Sequence, residues 1–293
     1  MTEKRRLSGQ DWACIALMIL PLLGAMLMKT LFSPSSEGVD IHGAIIFLQI
    51  ELPYQPLLIT ESEINSWAVI IAIVGLCLFL TRNLSVRYPG VRQHIAEWIV
   101  EKCEGLVDDS MGAFFRFVTP FICAIMALSA FSSFTAMLGL YAPTSDLNVV
   151  AGWALLVAVA ITISRASCGP RAYIGTFVDD GPVMALLNII SEFATPVSMA
   201  FRHYGNVMSG AVIGVLVTAA LTGLTQLLLG WLPGFLGDIP FLRIGLPAML
   251  SIYFDIFSGA IQAYIFAMLT MLYVSGSFPM AVYEKRHPKK AAM

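Results

Sequence analysis

The chain has 293 residues, of which 58% are hydrophobic and only 12% charged, and its formal net charge is −2 at neutral pH. This composition is typical of a polytopic membrane protein and excludes a soluble enzyme. The five cysteines form no CxxC pair, the four histidines lack metal-ligand spacing, and no GxxxxGK[ST] loop could hold a phosphate. The sequence therefore predicts no metal site, no cofactor and no nucleotide site.

The first third of the chain predicts two membrane spans and one further helix. The N-terminal span lies within residues 1–33, and its apolar core is longer than that of a signal peptide, so we expect it to be retained. The segment 34–66 carries five acidic residues and no Lys or Arg, which predicts a location outside the cytoplasm. The region 67–112 begins with a second span, whose core is 67–80. It continues into an amphipathic helix at 91–107, which fits the membrane interface and a soluble partner equally well.

The rest of the chain predicts a helical hairpin and two very long apolar segments. The hairpin at 113–166 supplies the third and fourth spans, and the long pair occupies 181–283 as the runs 181–230 and 241–283. As single helices these runs would each exceed ~60 Å, about twice the hydrocarbon thickness, so they must tilt steeply or break. Basic residues at both ends of the chain predict cytoplasmic termini, and Lys29 is the one charge that this topology does not explain.

The predicted fold is thus an all-α polytopic membrane protein that forms a single membrane domain. It has about six membrane helices, of which the last two are long and steeply tilted, and one interfacial amphipathic helix.

A single arginine, Arg202, lies near the middle of the apolar run 181–230. A guanidinium stays charged at any ordinary pH, and placing it at membrane depth costs roughly 3–10 kcal/mol. At 3.6 residues per turn it shares one helix face with polar residues only. This row consists of Ser191, Thr195, Ser198, Arg202, Asn206 and Ser209. A polar row on a membrane helix favours an ion path, although Arg202 could instead lie at a helix break and extend to the surface.

The last apolar run carries a second polar row at helical spacing: Ser251, Asp255, Ser258 and Gln262. If the two long segments are antiparallel and Gln262 lies beside Arg202, Asp255 is level with Ser209. These outer residues predict one polar half-path. Ser191, Thr195 and the neighbouring Glu192 predict a second half-path on the inner side, and both end at Arg202.

Three motifs resemble subunit a of the F-type ATP synthase. The stretch PVSMAFRHYGNVMSG at 196–210 is similar to the family pattern PVSLxxRLFGN. The stretch IQAYIFAMLTMLYVS at 261–275 resembles the final helix of the family, and PTSDLN at 143–148 precedes the fourth span. With the order of the spans, the resemblance covers most of the chain from about Glu61 onward.

The resemblance implies a non-catalytic, stationary ion-channel subunit of a rotary ATP synthase in a bacterial plasma membrane. The implied partners are a ring of c subunits, the b subunits of the peripheral stalk, the remaining synthase subunits and lipid, with no nucleic acid. Arg202 corresponds to the essential arginine, and Gln262, Asn206 and Asp255 correspond to channel residues. The chain departs from the family at Ala211, where some members have glutamate, at Thr195, where many have a basic residue, and at His203-Tyr204, where Leu-Phe is usual. The transported ion is H⁺ or Na⁺.

Two other classes of protein remain as alternatives. A stand-alone ion-coupled transporter would also use buried charges, but it would show repeated halves, and we find no internal repeat. An intramembrane enzyme could use Asp179 and Asp180 as metal ligands, but two acids at a helix N-terminus are better explained by the helix dipole.

Overall fold

The computed structural model describes residues 8–32, 43–51, 53, 55–86, 90–167, 169–178, 181–229, 245, 249–250, 252–280 and 282–283. The helices, in chain order, are α1 Gly9–Phe32, α2 Glu61–Thr81, α3 Val91–Met111, α4 Thr119–Met137, α5 Leu147–Ala166, α6 Pro170–Val178, α7 Pro182–Leu229 and α8 Gly259–Ser277. Short 3₁₀ segments, Ala113–Val118 and Pro143–Ser145, precede α4 and α5, and a π-helical segment, Ile252–Ser258, precedes α8. Strands β1 Ile46–Ile50 and β2 Leu57–Thr60 form an antiparallel hairpin.

Six helices in the described part of the chain are long and apolar enough to cross a membrane. They are α1, α2, α4 with its 3₁₀ turn, α5, α7, and α8 with its π segment. Helices close every backbone hydrogen bond within one segment, which hydrocarbon requires. The predicted all-α polytopic class is therefore confirmed, and the chain is an integral membrane protein. The charged helix α3 forms where the amphipathic pattern predicts a helix.

The chain divides into two compact units, which we describe separately. The first contains residues 1–99, 127–146 and 204–263. Its α1 and α2 pack closely because Gly75 has no side chain: a Cβ there would lie 3.0 Å from the backbone nitrogen of Met18. Near the start of α1, Asp11 accepts hydrogen bonds from Arg92 at 2.8 Å and from Arg82 at 3.5 Å. These contacts fix the first two spans against each other.

The second unit contains residues 100–126, 147–203 and 264–293, and its core lies around α8. One buried cluster joins α3, α4 and α8 through Val107, Ile122 and Met271. Another joins α4, α5, α7 and α8 and consists of Ile125, Val157, Ile161, Met199, Phe266 and Val274. The apolar face of α8 is thus covered by this chain, whereas many large apolar side chains of α7 are exposed and must meet lipid or another subunit.

The structure differs from the sequence-based description in three places. Helix α2 begins at Glu61, so the last six residues of the segment 34–66 are helical, and the hairpin within that segment was not predicted. The unpredicted short helix α6 connects α5 towards α7.

Helix α7 is continuous for 48 residues with Pro196 inside it, which corresponds to about 72 Å. It does not break, so a membrane of ordinary thickness requires it to tilt. Ser251, Asp179 and Asp180 lie outside the described residues.

Candidate functional site

A cavity of about 360 Å³ lies in the first unit, and we call it the Asp255 cavity. Its polar lining residues are Lys29, Ser133, Tyr141, Ser145 and Asp255. Helix α7 contributes apolar residues to the wall, among them Ala211, where the family pattern allows a glutamate. Asp255 is half-buried and is the only carboxylate among the described lining residues. The cavity can therefore hold water beside one acidic group.

The segment that carries Asp255 is fixed against α7 by two contacts. The amide nitrogen of Asn206 donates a 3.0 Å hydrogen bond to Ser258 Oγ, and a Cβ at Gly210 would lie 2.9 Å from the ring of Phe254. Both pairs have the same antiparallel register as the predicted pair Ser209 and Asp255. In this register, each step forward along α7 corresponds to one step back along the segment that carries Asp255.

The local geometry of this segment differs from the predicted α-helical row. Ile252–Ser258 is π-helical, so Asp255 and Ser258 do not have the angular spacing of an α-helix. Ser258 bonds to Asn206 instead of lining the cavity. Ser209 is exposed, and its hydroxyl donates to the Asn206 carbonyl at 3.1 Å. Of the predicted outer residues that the structure describes, Asp255 alone lines this cavity.

Lys29, the charge that the topology does not explain, contacts Glu61 and Gly139 at the edge of the Asp255 cavity. Its ammonium group lies 3.3 Å from Glu61 Oε1 and donates to the Gly139 carbonyl at 2.7 Å. The Glu61 carboxylate, only 3% exposed, also accepts a hydrogen bond from the Tyr141 amide at 3.1 Å. An acid can therefore begin a membrane helix here, because it is paired on both sides.

The loop between α4 and α5 is held by further hydrogen bonds to α2. Ser62 donates to Asp146, and Asn65 donates to the Tyr141 carbonyl at 2.8 Å. Burial, followed by the nearby Asp146 charge, raises the pKa of Tyr141, so this residue presents a neutral hydroxyl to the cavity. That hydroxyl donates to the Ser145 carbonyl at 3.1 Å.

A second cavity, of about 280 Å³, lies in the second unit, and we call it the Glu192 cavity. It brings together all three residues that the sequence predicts for the inner half-path: Ser191, Glu192 and Thr195. Asn188, Arg165, Tyr273 and Ser277 complete its polar lining. Because residue 196 is proline, the Glu192 carbonyl also lacks its usual α-helical donor.

Arg202 is exposed, so the described residues leave much of this side chain uncovered. The neighbouring His203 is fully buried, with its ring edge-on to Trp153 and Phe266 at centroid distances of 6.0 and 5.4 Å. Successive helical residues are rotated by about 100°, so burying His203 directs Arg202 away from this packed face. His203 therefore acts as a packing residue that sets the orientation of α7.

The other residues of the predicted polar row differ in their exposure. Ser191, Ser198 and Ser209 are exposed, while Thr195 and Asn206 are half-buried. Gln262 is buried, with 4% exposure. The described residues contain no group of three or more His, Cys, Asp or Glu side chains that could hold a metal ion.

No helical spacing or motif points to several residues that the structure adds to these cavities. They are Arg165, Ser133 and Tyr141. The unexplained charge of Lys29 was the one available indication of a partner.

Comparison with known proteins identifies the family. The family model for the ATP synthase A chain matches residues 64–275, which include Arg202, Asp255 and Glu192. The chain belongs to this family. Subunit a 1 of the ATP synthase of Hahella chejuensis is 30% identical over 223 residues, which are 76% of this chain and 86% of the relative. Subunit a 2 from Bradyrhizobium sp. is 29% identical over 76% of this chain and 90% of its own length.

A third relative carries a more specific name. The protein from Propionigenium modestum, named ATP synthase subunit a, sodium ion specific, is 30% identical over 77% of this chain and 76% of its own length. These matches confirm the resemblance on which the sequence analysis relied. As an ATP synthase A chain, this integral membrane protein takes part in ion transport and ATP synthesis within the synthase complex.

Proposed function

We propose that this A chain is the stationary channel subunit of a rotary synthase, with two separate half-paths for H⁺ or Na⁺. The Asp255 cavity provides the outer half-path, and the Glu192 cavity provides the inner one. Ions enter a rotating ring of c subunits through one half-path and leave through the other, so that ion flow drives rotation and ATP synthesis.

The observation that carries this proposal is the order of residues along α7. Asn188, Ser191, Glu192 and Thr195 line the Glu192 cavity, whereas Val207, Met208, Ala211 and Val215 line the Asp255 cavity. Arg202 lies between these two groups along α7. At the α-helical rise, Arg202 is about 10 Å along the axis from Thr195 and about 8 Å from Val207. Along α7, a permanently charged residue thus stands between the residues that line one cavity and those that line the other.

Exposure of Arg202 supports a partner that supplies negative charge. A guanidinium facing hydrocarbon would cost roughly 3–10 kcal/mol, and the described residues leave Arg202 exposed. A ring carboxylate would compensate the charge. The same carboxylate must bind a proton or a sodium ion before it can face lipid, since a bare charge is prohibitive there.

Arg202 would then perform two roles. Beside it, the ring carboxylate is stabilised in its ionised form, which releases the bound ion into one half-path. Its charge also repels a cation that could otherwise pass straight from one half-path to the other. Ion transfer is therefore coupled to ring movement.

The charge distribution also supports an orientation. Basic residues at both ends favour cytoplasmic termini, and the acidic segment 34–66 favours the opposite compartment. The peripheral-stalk b subunits would hold this subunit still while the ring turns.

The test is ATP-driven ion pumping into inverted membrane vesicles that contain the assembled synthase. Arg202→Ala should abolish pumping, and Arg202→Lys should also fail, because lysine lacks the planar guanidinium and can lose its proton. The matched control is Arg116→Ala, since Arg116 bonds to Asp108 at 2.8 Å and lines neither cavity. Near-normal pumping by Arg202→Ala would refute the proposed role.

A further inference from the structure

Arg165 and Glu192 form an ion pair on the wall of the Glu192 cavity. Arg165 donates from Nη1 to Glu192 Oε2, and the two side chains are 18% and 19% exposed. Both residues line the cavity, so the pair is in contact with the space that water can fill. The pair joins α5 to α7 within the second unit.

The Arg165 guanidinium is also held by two other elements. Its Nη2 lies 3.5 Å from Ser277 Oγ at the end of α8, and its central carbon lies 4.9 Å from the centre of the Phe177 ring in α6. A planar guanidinium can make such contacts simultaneously, because it has a flat face and several donors at its edge. Arg165 is therefore held in one place, and it can hold Glu192 in turn.

Among the described residues, the second carboxylate oxygen of Glu192 makes only one weak contact. Thr162 Oγ1 lies 3.4 Å from Glu192 Oε1, but it also lies 2.9 Å from the Ala158 carbonyl. Its single proton is better placed for the Ala158 carbonyl, since the shorter contact is the stronger hydrogen bond. Glu192 Oε1 is thus available to accept a hydrogen bond from water or from an arriving ion.

We infer that Arg165 is a positioning residue for ion transfer, which holds Glu192 by one oxygen so that the other faces the Glu192 cavity. This role rests on the proposed function of that cavity as the inner half-path. Without Arg165, the carboxylate loses both its compensating charge and its fixed orientation. The ion then meets a side chain that can turn away from the path.

The test is a double-mutant cycle on ATP-driven pumping by the whole synthase in inverted vesicles, normalised to the amount of assembled complex. The variants are Arg165→Gln, Glu192→Gln and the two combined. We expect Arg165→Gln to lower the pumping rate about tenfold. The double variant should pump at the rate of Glu192→Gln alone, because Arg165 has no role once the carboxylate is gone.

If Arg165 had only a structural role, the double-mutant cycle would give a different result, because its contacts with Ser277 and Phe177 do not depend on Glu192. Arg165→Gln would then lower pumping by the same factor with and without Glu192→Gln, and this outcome would overturn the inference. Wild-type pumping by Arg165→Gln would overturn it as well.

Arg165→Lys provides a second cycle if Arg165→Gln does not assemble. Lysine keeps the charge but loses the flat guanidinium, so we expect a smaller loss, which Glu192→Gln should again remove. A loss that persists in the Glu192→Gln background counts against the inference. Arg202→Ala, measured in parallel, tests the proposed function separately, because it should abolish pumping whether or not the inference about Arg165 is correct.

Discussion

Gly259 allows the segment that carries Asp255 to approach α4, and replacing it with alanine should displace that segment. Gly259 is the first residue of α8 and follows the π segment directly. A Cβ at this position would lie 2.5 Å from Cβ and 2.7 Å from Oγ of Ser133. Because non-bonded carbons pack at about 3.5–4.0 Å, the alanine requires a local separation of roughly 1 Å.

The size of the effect follows from this displacement. Overpacking of a close contact costs about 1–3 kcal/mol of stability, which an assembled complex can tolerate. A misplacement of about 1 Å can lower a rate by up to ~100-fold when geometry controls the reaction. We therefore expect Gly259→Ala to assemble and to pump at least about tenfold more slowly than wild type.

The assay is ATP-driven pumping in inverted vesicles, with a compensating substitution as the matched control. Ser133→Gly removes both atoms that the new methyl group would meet, so the double variant Gly259→Ala/Ser133→Gly should recover most of the rate. Ser133→Gly alone measures the loss of its own hydroxyl from the cavity wall. The reasoning fails if Gly259→Ala pumps at the wild-type rate, or if Ser133→Gly does not improve it.

Three further predictions follow from the Asp255 cavity and its surroundings. Asp255→Asn should lower driven pumping by about 100-fold, as expected for loss of an acid that transfers the ion. Passive ion leak should stay low, because Arg202 is intact. Pumping at the wild-type rate would exclude the channel role of Asp255. Lys29→Met should destabilise the subunit by about 1–3 kcal/mol. This cost is smaller than that of breaking a fully buried ion pair, because Lys29 is partly exposed. Adding Glu61→Gln should restore the amount of assembled complex, because it removes the unpaired charge. Single cysteines at Ser8 and Glu63, both exposed, test the topology with a membrane-impermeant thiol reagent on intact cells: only position 63 should react, and labelling at position 8 would contradict a cytoplasmic N-terminus.

The sequence predicts the spans because hydrocarbon imposes a simple requirement on them. An apolar run of about 20 residues must form a helix to satisfy its backbone, whatever its neighbours are. The register of the long helices also follows from the sequence, since polar residues on two antiparallel helices must meet each other. The Asn206 to Ser258 hydrogen bond has that register.

Features that depend on tertiary contacts could not be predicted. The π segment contains no glycine or proline to mark it, and it follows from contacts such as that of Phe254 with Gly210. The ion pairs of Glu61 with Lys29 and of Glu192 with Arg165 join positions 32 and 27 residues apart, and no periodic pattern connects them. The early start of α2 has the same origin, because Glu61 is tolerated there only when it is paired.

Each of the two cavities contains both an acidic and a basic side chain, whereas Arg202 is a single positive charge. Among the described lining residues, the Glu192 cavity has one acid and one base, Glu192 and Arg165, and the Asp255 cavity likewise has Asp255 and Lys29. Among these described side chains, the acid and the base of each cavity offset each other in charge. Arg202, in contrast, is exposed in the part of the chain that the structure describes. Under the proposed function, the charge of Arg202 is the barrier to direct passage of an ion, and a ring carboxylate would lower it.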